Sequence, residues 1–213
     1  MENNTQKILA LKYRPKNFKE LIGQDIMVET ITNSIKLDKL PNAYLLTGIR
    51  GVGKTTTARL IAKAINCKKN FIKGDECAVS EYCSCKEITA SKHLDVEEID
   101  GASRTGIDSI RELIGSSSYS PTSAKYKVII LDEVQMLSKQ AFNGLLKTLE
   151  EPPEKLKFIM ATTEARKIPG TKGSTSFWSS GVSVVLHPNN PKEQMQRKVL
   201  PRSMEWQRKN LLV

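Results

Sequence analysis

Short apolar runs alternate with segments of helical period along most of the chain. Residues 43–47 (AYLLT) form a continuous apolar run that ends at Gly48, as a buried strand entering a turn would. From Gly53 onward, Ala58, Ile61, Ala62 and Ile65 recur at helical spacing. Residues 94–100 (LDVEEID) read as a second strand and 106–114 (GIDSIRELI) as a short amphipathic helix. Residues 127–133 (KVIILDE) give the clearest strand pattern in the chain. Ser138 is placed to cap a helix whose apolar face is Phe142, Leu145, Leu146 and Leu149, and which Pro152 and Pro153 stop. Residues 157–163 (KFIMATT) read as a fourth strand. Upstream, 19–36 reads as a short helix with Ile22, Ile26, Ile31 and Ile35 on one side. Strands alternating with helices predict an α/β fold, a parallel sheet with helices on both faces.

The pattern fails near residue 169. Beyond it come Gly, Ser and Thr, both tryptophans (Trp178 and Trp206), and no segment of helical period. Charge shifts at the same place. The 213-residue chain carries a formal +10, which invites a nucleic-acid reading. Yet residues 165–213 hold nine Lys/Arg against two Asp/Glu, leaving only +3 on the first 164 residues. Hydrophobic content of 39% and charged content of 26% are those of an ordinary globular domain. No apolar run is long enough to span a membrane, and the N-terminus lacks the apolar core of a secretory signal, so the cytoplasm is the expected compartment.

The chemistry concentrates after two of the strands. GIRGVGKT, residues 48–55, fits G-x-x-x-x-G-K-[ST] between an apolar run and a helical segment. Its glycines Gly48, Gly51 and Gly53 let the loop wrap, so that backbone N–H groups of Val52, Gly53 and their neighbours converge on phosphate oxygens. The helix that follows turns its positive end, with Thr56, to the same anion. Lys54 reaches the terminal phosphates, and the Thr55 hydroxyl is a ligand for Mg²⁺. VIILDEVQ, residues 128–135, places two adjacent carboxylates at the end of a buried strand. Neighbouring strand residues face opposite ways, so the two acids do different work. Asp132 holds Mg²⁺, directly or through water, and Glu133 orients and deprotonates an attacking water. An acidic pair favours hydrolysis over transfer to a small-molecule acceptor.

Five stretches carry a close resemblance: ALKYRPKNFKELIGQ, NAYLLTGIRGVGKTTTARLIAKAINC, EIDGASRTGIDSIREL, DEVQMLSKQAFNGLLKTLEEPP and FIMATTE. Across about residues 8–169 the chain resembles the ATPase module of bacterial DNA polymerase III subunits gamma and tau, clamp-loader motors of the AAA+ class. LLKTLEEPP after DEVQMLS is the most specific mark, and it argues against an unrelated nucleotide kinase. The resemblance implies a P-loop NTPase of AAA+ type that binds ATP with Mg²⁺. It implies work beside other clamp-loader subunits to set a sliding clamp on primer-template DNA during replication. Tyr13, Arg14 and Pro15 match the segment that lies near the adenine. Thr162 and Thr163 match the polar end of the strand that senses the γ-phosphate, with Thr163 taken as catalytic beside Glu133 and Lys54. Arg104 and Arg111 match a segment that touches DNA phosphate or a neighbouring subunit, although a solvated helix face accounts for them equally. The resemblance is to part of a polymerase holoenzyme, but the residues point to ATP hydrolysis and none to nucleotide polymerisation.

Relatives of this kind carry a Cys, a spacer and then C-x-x-C-x-x-C, a four-thiolate Zn²⁺ module. This chain has four cysteines, Cys67, Cys77, Cys83 and Cys85, and disulfides are not expected in the cytoplasm. The spacing departs from the family: Ser80 stands where the middle ligand belongs, and Cys83 and Cys85 form a tight C-x-C. Either the loop adapts to bind zinc, or residues 67–92 keep free thiols without metal.

The departure after residue 169 matters more. Family members continue from KIP into a Val-Thr-Ile stretch and a Ser-Arg-Cys motif, whose arginine reaches the ATP of the next subunit, and then into a helical lid. Here GTKGSTSFWSSGVSVVLHPNN follows instead, and Ser-Arg-Cys occurs nowhere. The expected organisation is therefore an ATPase core over 1–169 and an aberrant or disordered tail over 170–213 in place of the lid. That tail reads as out-of-frame or foreign sequence; a basic DNA-binding tail is the alternative. Two functions remain open: a truncated clamp-loader ATPase, or a nucleotide-binding remnant without significant turnover.

Overall fold

The computed structural model of the chain describes residues 13–67, 84–103, 106–117 and 119–168, and the backbone of 182–186. Five strands form its sheet: β1 (Ala43–Thr47), β2 (Val96–Asp100), β3 (Lys127–Asp132), β4 (Leu156–Thr162) and β5 (Val182–Leu186). Every neighbouring pair is parallel, in the order β2-β3-β4-β1-β5. The helices are α1 (Asp25–Lys36), α2 (Lys54–Asn66), α3 (Cys85–Thr89), α4 (Ile107–Ser117) and α5 (Lys139–Glu150).

Strand alternation divides the apolar residues into two cores. Tyr44 and Leu46 of β1, Val128 and Ile130 of β3, and Ile159 and Ala161 of β4 pack with Met27 and Ile31 of α1 and Ala58, Ile61, Ala62 and Ile65 of α2. Ala43 and Leu45, Ile129 and Leu131, and Phe158 and Met160 point the other way, onto Ile110 and Leu113 of α4 and Phe142, Leu145 and Leu149 of α5. Both faces are covered, which is why β1 and β4 read as continuous apolar runs and are buried along their whole length. Tyr44 keeps its hydroxyl within 3.3 Å of the Ser34 hydroxyl inside the first core. Burial raises its pKa to about 12 against the lowering effect of that contact.

Four expected strands, and the helices read after Gly53, over 106–114 and after Ser138, form where the pattern places them, within a few residues. Ser138 caps α5 by accepting the Ala141 N–H at 3.1 Å. Gly144 in that helix has open space where a side chain would project, so no close packing requires it.

Two expectations need correction. The helix read over 19–36 is a short 3-10 turn at Phe18–Glu20 followed by α1. Gly23, at φ 73°, breaks the chain between them. Ile22 is 95% exposed and Ile26 68% exposed, and the buried face is Met27, Ile31 and Ser34. The second correction concerns the tail expected to be irregular. Five of its residues, Val182–Leu186, form the edge strand β5, paired residue for residue with β1. The sequence VSVVL has the β-branched content that suits a strand, and β1 has a sheet edge to offer. Among the described residues no helix is long and apolar enough to cross a membrane.

The loop before β3 is tied to the start of β2 by one buried carboxylate. Asp95 accepts N–H bonds from Thr122 (2.8 Å), Ser123 (2.8 Å) and Ala124 (2.9 Å), and the Ser123 hydroxyl lies 3.3 Å away. His93 Nδ1 accepts the Asp95 N–H at 3.0 Å, so its ring proton sits on Nε2, facing the Ser123 hydroxyl. Burial alone would raise the Asp95 pKa, but the three backbone donors and the hydroxyl outweigh it and hold the carboxyl below its ordinary 3.8. Because the folded value is depressed, this stabilisation is complete above the ordinary value and is lost as pH falls through the folded one. Asp95→Ala is expected to cost about 2–3 kcal/mol at pH 7 by leaving three N–H groups without their acceptor. Urea unfolding should show the gap between variant and wild type narrowing below about pH 4; a gap that stays constant down to acid pH would contradict the assignment.

Candidate active site

The parallel register brings the C-terminal ends of β1, β3 and β4 to one edge of the sheet. Thr47 of β1 lies opposite Thr162 of β4, and Leu131 of β3 opposite Met160. Open parallel sheets bind ligands at this edge. The loop leaving β1 begins with Gly48, whose N–H donates to the Thr162 carbonyl at 3.3 Å. Gly51 and Gly53 take φ values of 86° and 91°. A Cβ at either would meet no neighbour, so the demand for glycine there comes from the left-handed backbone. Gly53 caps α2 with no side-chain hydrogen bond, leaving the first N–H groups of that helix, around Lys54, Thr55 and Thr56, directed into the loop.

Lys54 is 5% exposed and folds back over the loop, donating to the Gly48 and Ile49 carbonyls at 3.1 Å each. Burial lowers its pKa; Glu133 and Asp132 pull it back up, and Arg50 lowers it further. The ammonium therefore sits in the field of both acids. The Thr55 hydroxyl donates directly to Asp132 Oδ2, joining the start of α2 to the end of β3 across 77 positions of sequence. That pair of oxygens, beside a glycine loop and a buried lysine, has the donor chemistry to hold a hard divalent cation against a polyphosphate. Val52 is half-buried in the same loop.

The two acids diverge for a reason that simple strand alternation does not supply. The strand ends at Asp132, and Glu133 takes the left-handed conformation (φ 48°, ψ 47°) as the chain enters a 3-10 turn, Val134–Met136. Such a backbone is unfavourable for a residue with a side chain and persists only when its surroundings enforce it. Gly101, after β2, is one enforcer. Its N–H donates to the Asp132 carbonyl at 2.8 Å, and a Cβ there would lie 2.8 Å from the Glu133 carbonyl oxygen. The close approach of the two chain segments is possible only without a side chain.

Beyond Glu133, the Gln135 carboxamide joins three side chains. It donates to Glu133 Oε2 (2.6 Å) and to the Thr163 hydroxyl (2.9 Å), and accepts from the Thr162 hydroxyl (2.7 Å). The two threonines thus separate in role. Thr162 is fully buried, and its oxygen also takes the Glu164 N–H. Thr163 is half-buried, with its hydroxyl 3.3 Å from Glu133 Oε2.

The structure therefore gathers Gly48, Gly51, Val52, Gly53, Lys54, Thr55, Thr56, Asp132, Glu133 and Thr163 at one sheet edge. Arg14 stands apart. It makes no hydrogen bond to the loop among the described residues and lies in the field of Arg59 and Glu98; burial lowers its pKa first, Arg59 adds to that, and Glu98 opposes it. Arg59 itself holds Glu98 with two bonds of 2.8 and 2.7 Å. Tyr13 is 73% exposed. Arg111 pairs with Asp108 at 3.2 Å on an exposed face of α4, an arrangement that contributes little energy. Arg104, Cys77 and Cys83 lie outside the described residues. Cys67 ends α2, and Cys85 is buried at the first turn of α3, which packs on α2. Among the described residues no three metal-ligating side chains gather. Sequence reasoning passed over Gln135 and Gly101. A glutamine two residues after the acid, at the mouth of a buried strand, was the available signal for the first.

A parallel sheet covered on both faces, with a phosphate-type loop after β1 and an acidic pair ending β3, defines a P-loop NTPase of the AAA+ type. The solved structure of the Thermotoga maritima RuvB Holliday junction branch migration motor shares this fold, with a TM-score of 0.53, 19% identity, and coverage of 82% of this chain and 48% of that one. A family model described as "DNA polymerase III, delta subunit" matches residues 23–176, and the chain belongs to that family. It is 51% identical over 164 residues to the DNA polymerase III subunit gamma of Buchnera aphidicola subsp. Acyrthosiphon pisum, covering 77% of this chain and 45% of that one. To the DNA polymerase III subunit tau of Escherichia coli it is 44% identical over 164 residues, covering 77% and 25%. The gamma/tau resemblance read from the sequence is confirmed, and the chain spans less than half the length of these relatives.

Gly101→Ala is expected to destabilise the fold by about 1–3 kcal/mol, since the new methyl group meets backbone that cannot easily move. Chemical denaturation checks this, and an unchanged midpoint would show that the two segments can separate freely.

Proposed function

We propose that the chain binds ATP with Mg²⁺ and hydrolyses it as a clamp-loader subunit of the bacterial replicative DNA polymerase III. The observation that carries this is the Thr55–Asp132 hydrogen bond formed beside a buried Lys54 on a glycine loop. Names of the relatives support the setting. In this reading the loop N–H groups and Lys54 hold the β- and γ-phosphates. Thr55 and Asp132 hold the Mg²⁺, which supplies charge neutralisation on the phosphate oxygens. Glu133 takes a proton from the attacking water, and Thr163 orients the same water or the γ-phosphate. Arg14 with Tyr13 flanks the adenine. The partners are the other clamp-loader subunits, the sliding clamp and primer-template DNA, and the compartment is the cytoplasm.

A second reading has one observation in its favour: the sequence lacks Ser-Arg-Cys. A finger arginine is worth roughly 10³–10⁵ in rate in related phosphoryl transfer. That arginine serves a neighbour's ATP, so a nucleotide-binding remnant without significant turnover follows if this chain's neighbour is another copy of itself, which has no finger to offer. Mixing the chain with partner subunits, clamp and primed DNA separates the two: stimulated ATP hydrolysis supports the motor, and binding without stimulation supports the remnant. We read residues 170–213 as out-of-frame sequence. Translation of the coding DNA past codon 169 in its other frames tests this, and the absence of Ser-Arg-Cys from both would count against it.

Lys54→Ala should weaken ATP binding by about 100-fold, as expected for the loss of a charge-assisted contact. Glu133→Gln should keep ATP binding and slow hydrolysis by about 10²–10⁴-fold. Fluorescent ATP-analogue titration and single-turnover hydrolysis measure the two effects, and equal affinity in wild type and Lys54→Ala would overturn the site.

The four thiolates of Cys67, Cys77, Cys83 and Cys85 have the donor chemistry of a structural zinc site. Plasma mass spectrometry of the purified chain should find about one zinc per molecule, lost in Cys67→Ser. A metal-free wild-type protein would refute the module.

A further inference from the structure

We infer that Gln135 is a positioning residue, one that fixes which oxygen of the Glu133 carboxylate is presented to the attacking water. This rests on the ATPase reading above. The carboxamide uses all of its main hydrogen-bonding capacity: two N–H donors, to Glu133 Oε2 and Thr163 Oγ1, and one carbonyl acceptor, from Thr162 Oγ1. Turning the amide over would set its carbonyl oxygen 2.6 Å from a carboxylate oxygen, so its orientation is determined. Thr162 anchors it rigidly, because that threonine is fully buried and its hydroxyl already accepts the Glu164 N–H at 3.0 Å. Since Thr163 accepts from Gln135, its own hydrogen is free to turn to Glu133 Oε2, 3.3 Å away.

Both donors thus converge on one carboxylate oxygen. Oε2 takes Gln135 and Thr163, and Oε1 takes no hydrogen bond among the described residues. A general base is effective only when its accepting lone pair is aimed at the proton to be removed. Misplacement by about 1 Å costs on the order of 100-fold in rate. The Glu133 backbone, in its left-handed conformation, starts the carboxylate in the right direction. Gln135 then stops its rotation and couples it to the end of β4. Gln135 touches neither phosphate nor water in this account, and it acts through Glu133.

The test uses the full 213-residue chain. Single-turnover ATP hydrolysis, fluorescent ATP-analogue affinity and a crystal structure are measured for wild type, Gln135→Ala, Glu133→Gln and the double variant. Gln135→Ala is expected to keep affinity within about threefold and to slow hydrolysis about 100-fold. The double variant should be no slower than Glu133→Gln alone, because the effect runs through the missing carboxylate. Wild-type hydrolysis in Gln135→Ala, or a full additional loss in the double variant, would overturn the inference. The crystal structure decides even where the wild type turns over too slowly to measure. A Glu133 carboxylate moved by about 1 Å and parted from Thr163 supports positioning, and one that stays in place refutes it. Failure of the wild type to bind ATP would instead defeat the ATPase reading, and the crystallographic comparison would still judge the role of Gln135.

Discussion

The hydrogen bond between Thr55 and Asp132 is the constraint on which the rest of the site depends. It joins two elements that the chain makes far apart: the first turn of α2 and the last residue of β3. Neither the loop nor the acid has a defined ligand geometry alone. The bond forms because β1, β4 and β3 run parallel in adjacent positions and end level. The two cores then hold the sheet from both sides, so the edge is a rigid platform and not a set of loose loop ends. Electrostatics follow the same geometry. A buried ammonium, two carboxylates and a helix start share one small volume, and each acid offsets part of the cost of burying Lys54.

A second layer of contacts governs the acids themselves. Gly101 presses against the carbonyl of Glu133, the backbone of Glu133 turns left-handed, and Gln135 reaches back from the following turn. Each is modest alone. Together they convert the end of a strand into two carboxylates with separate directions. Asp132 faces the loop and Glu133 faces Thr163, although the residues are adjacent in sequence.

Much of this was legible in the residues. The apolar runs located β1, β3 and β4, because strands buried on both faces need no alternation and stand out as unbroken stretches. The loop motif and the acidic pair located the site, because their spacing has a direct chemical purpose. What stayed hidden depended on tertiary contact. Ile22 and Ile26 fit a helical stripe on paper, but the break at Gly23 puts Ile22 outside the helix and leaves Ile26 facing solvent. Gly101 looks like any turn glycine until Glu133 is laid against it. Asp95 reads as one more charge in LDVEEID, yet it closes a loop almost thirty residues away. The strand at Val182–Leu186 was masked by the composition around it, and pairing with β1 is what gives five residues a regular form.

That last pairing has a consequence for how the molecule tolerates change. β1 is flanked on one side by β4 and on the other by β5, so its amides and carbonyls are shared between two ladders. The inner ladder, together with the contact of Gly48 on Thr162, carries the phosphate loop. The outer one ends level with it, pairing Leu186 with Thr47. Loosening either neighbour of β1 therefore frees one side of Thr47, the residue that hands the chain to Gly48.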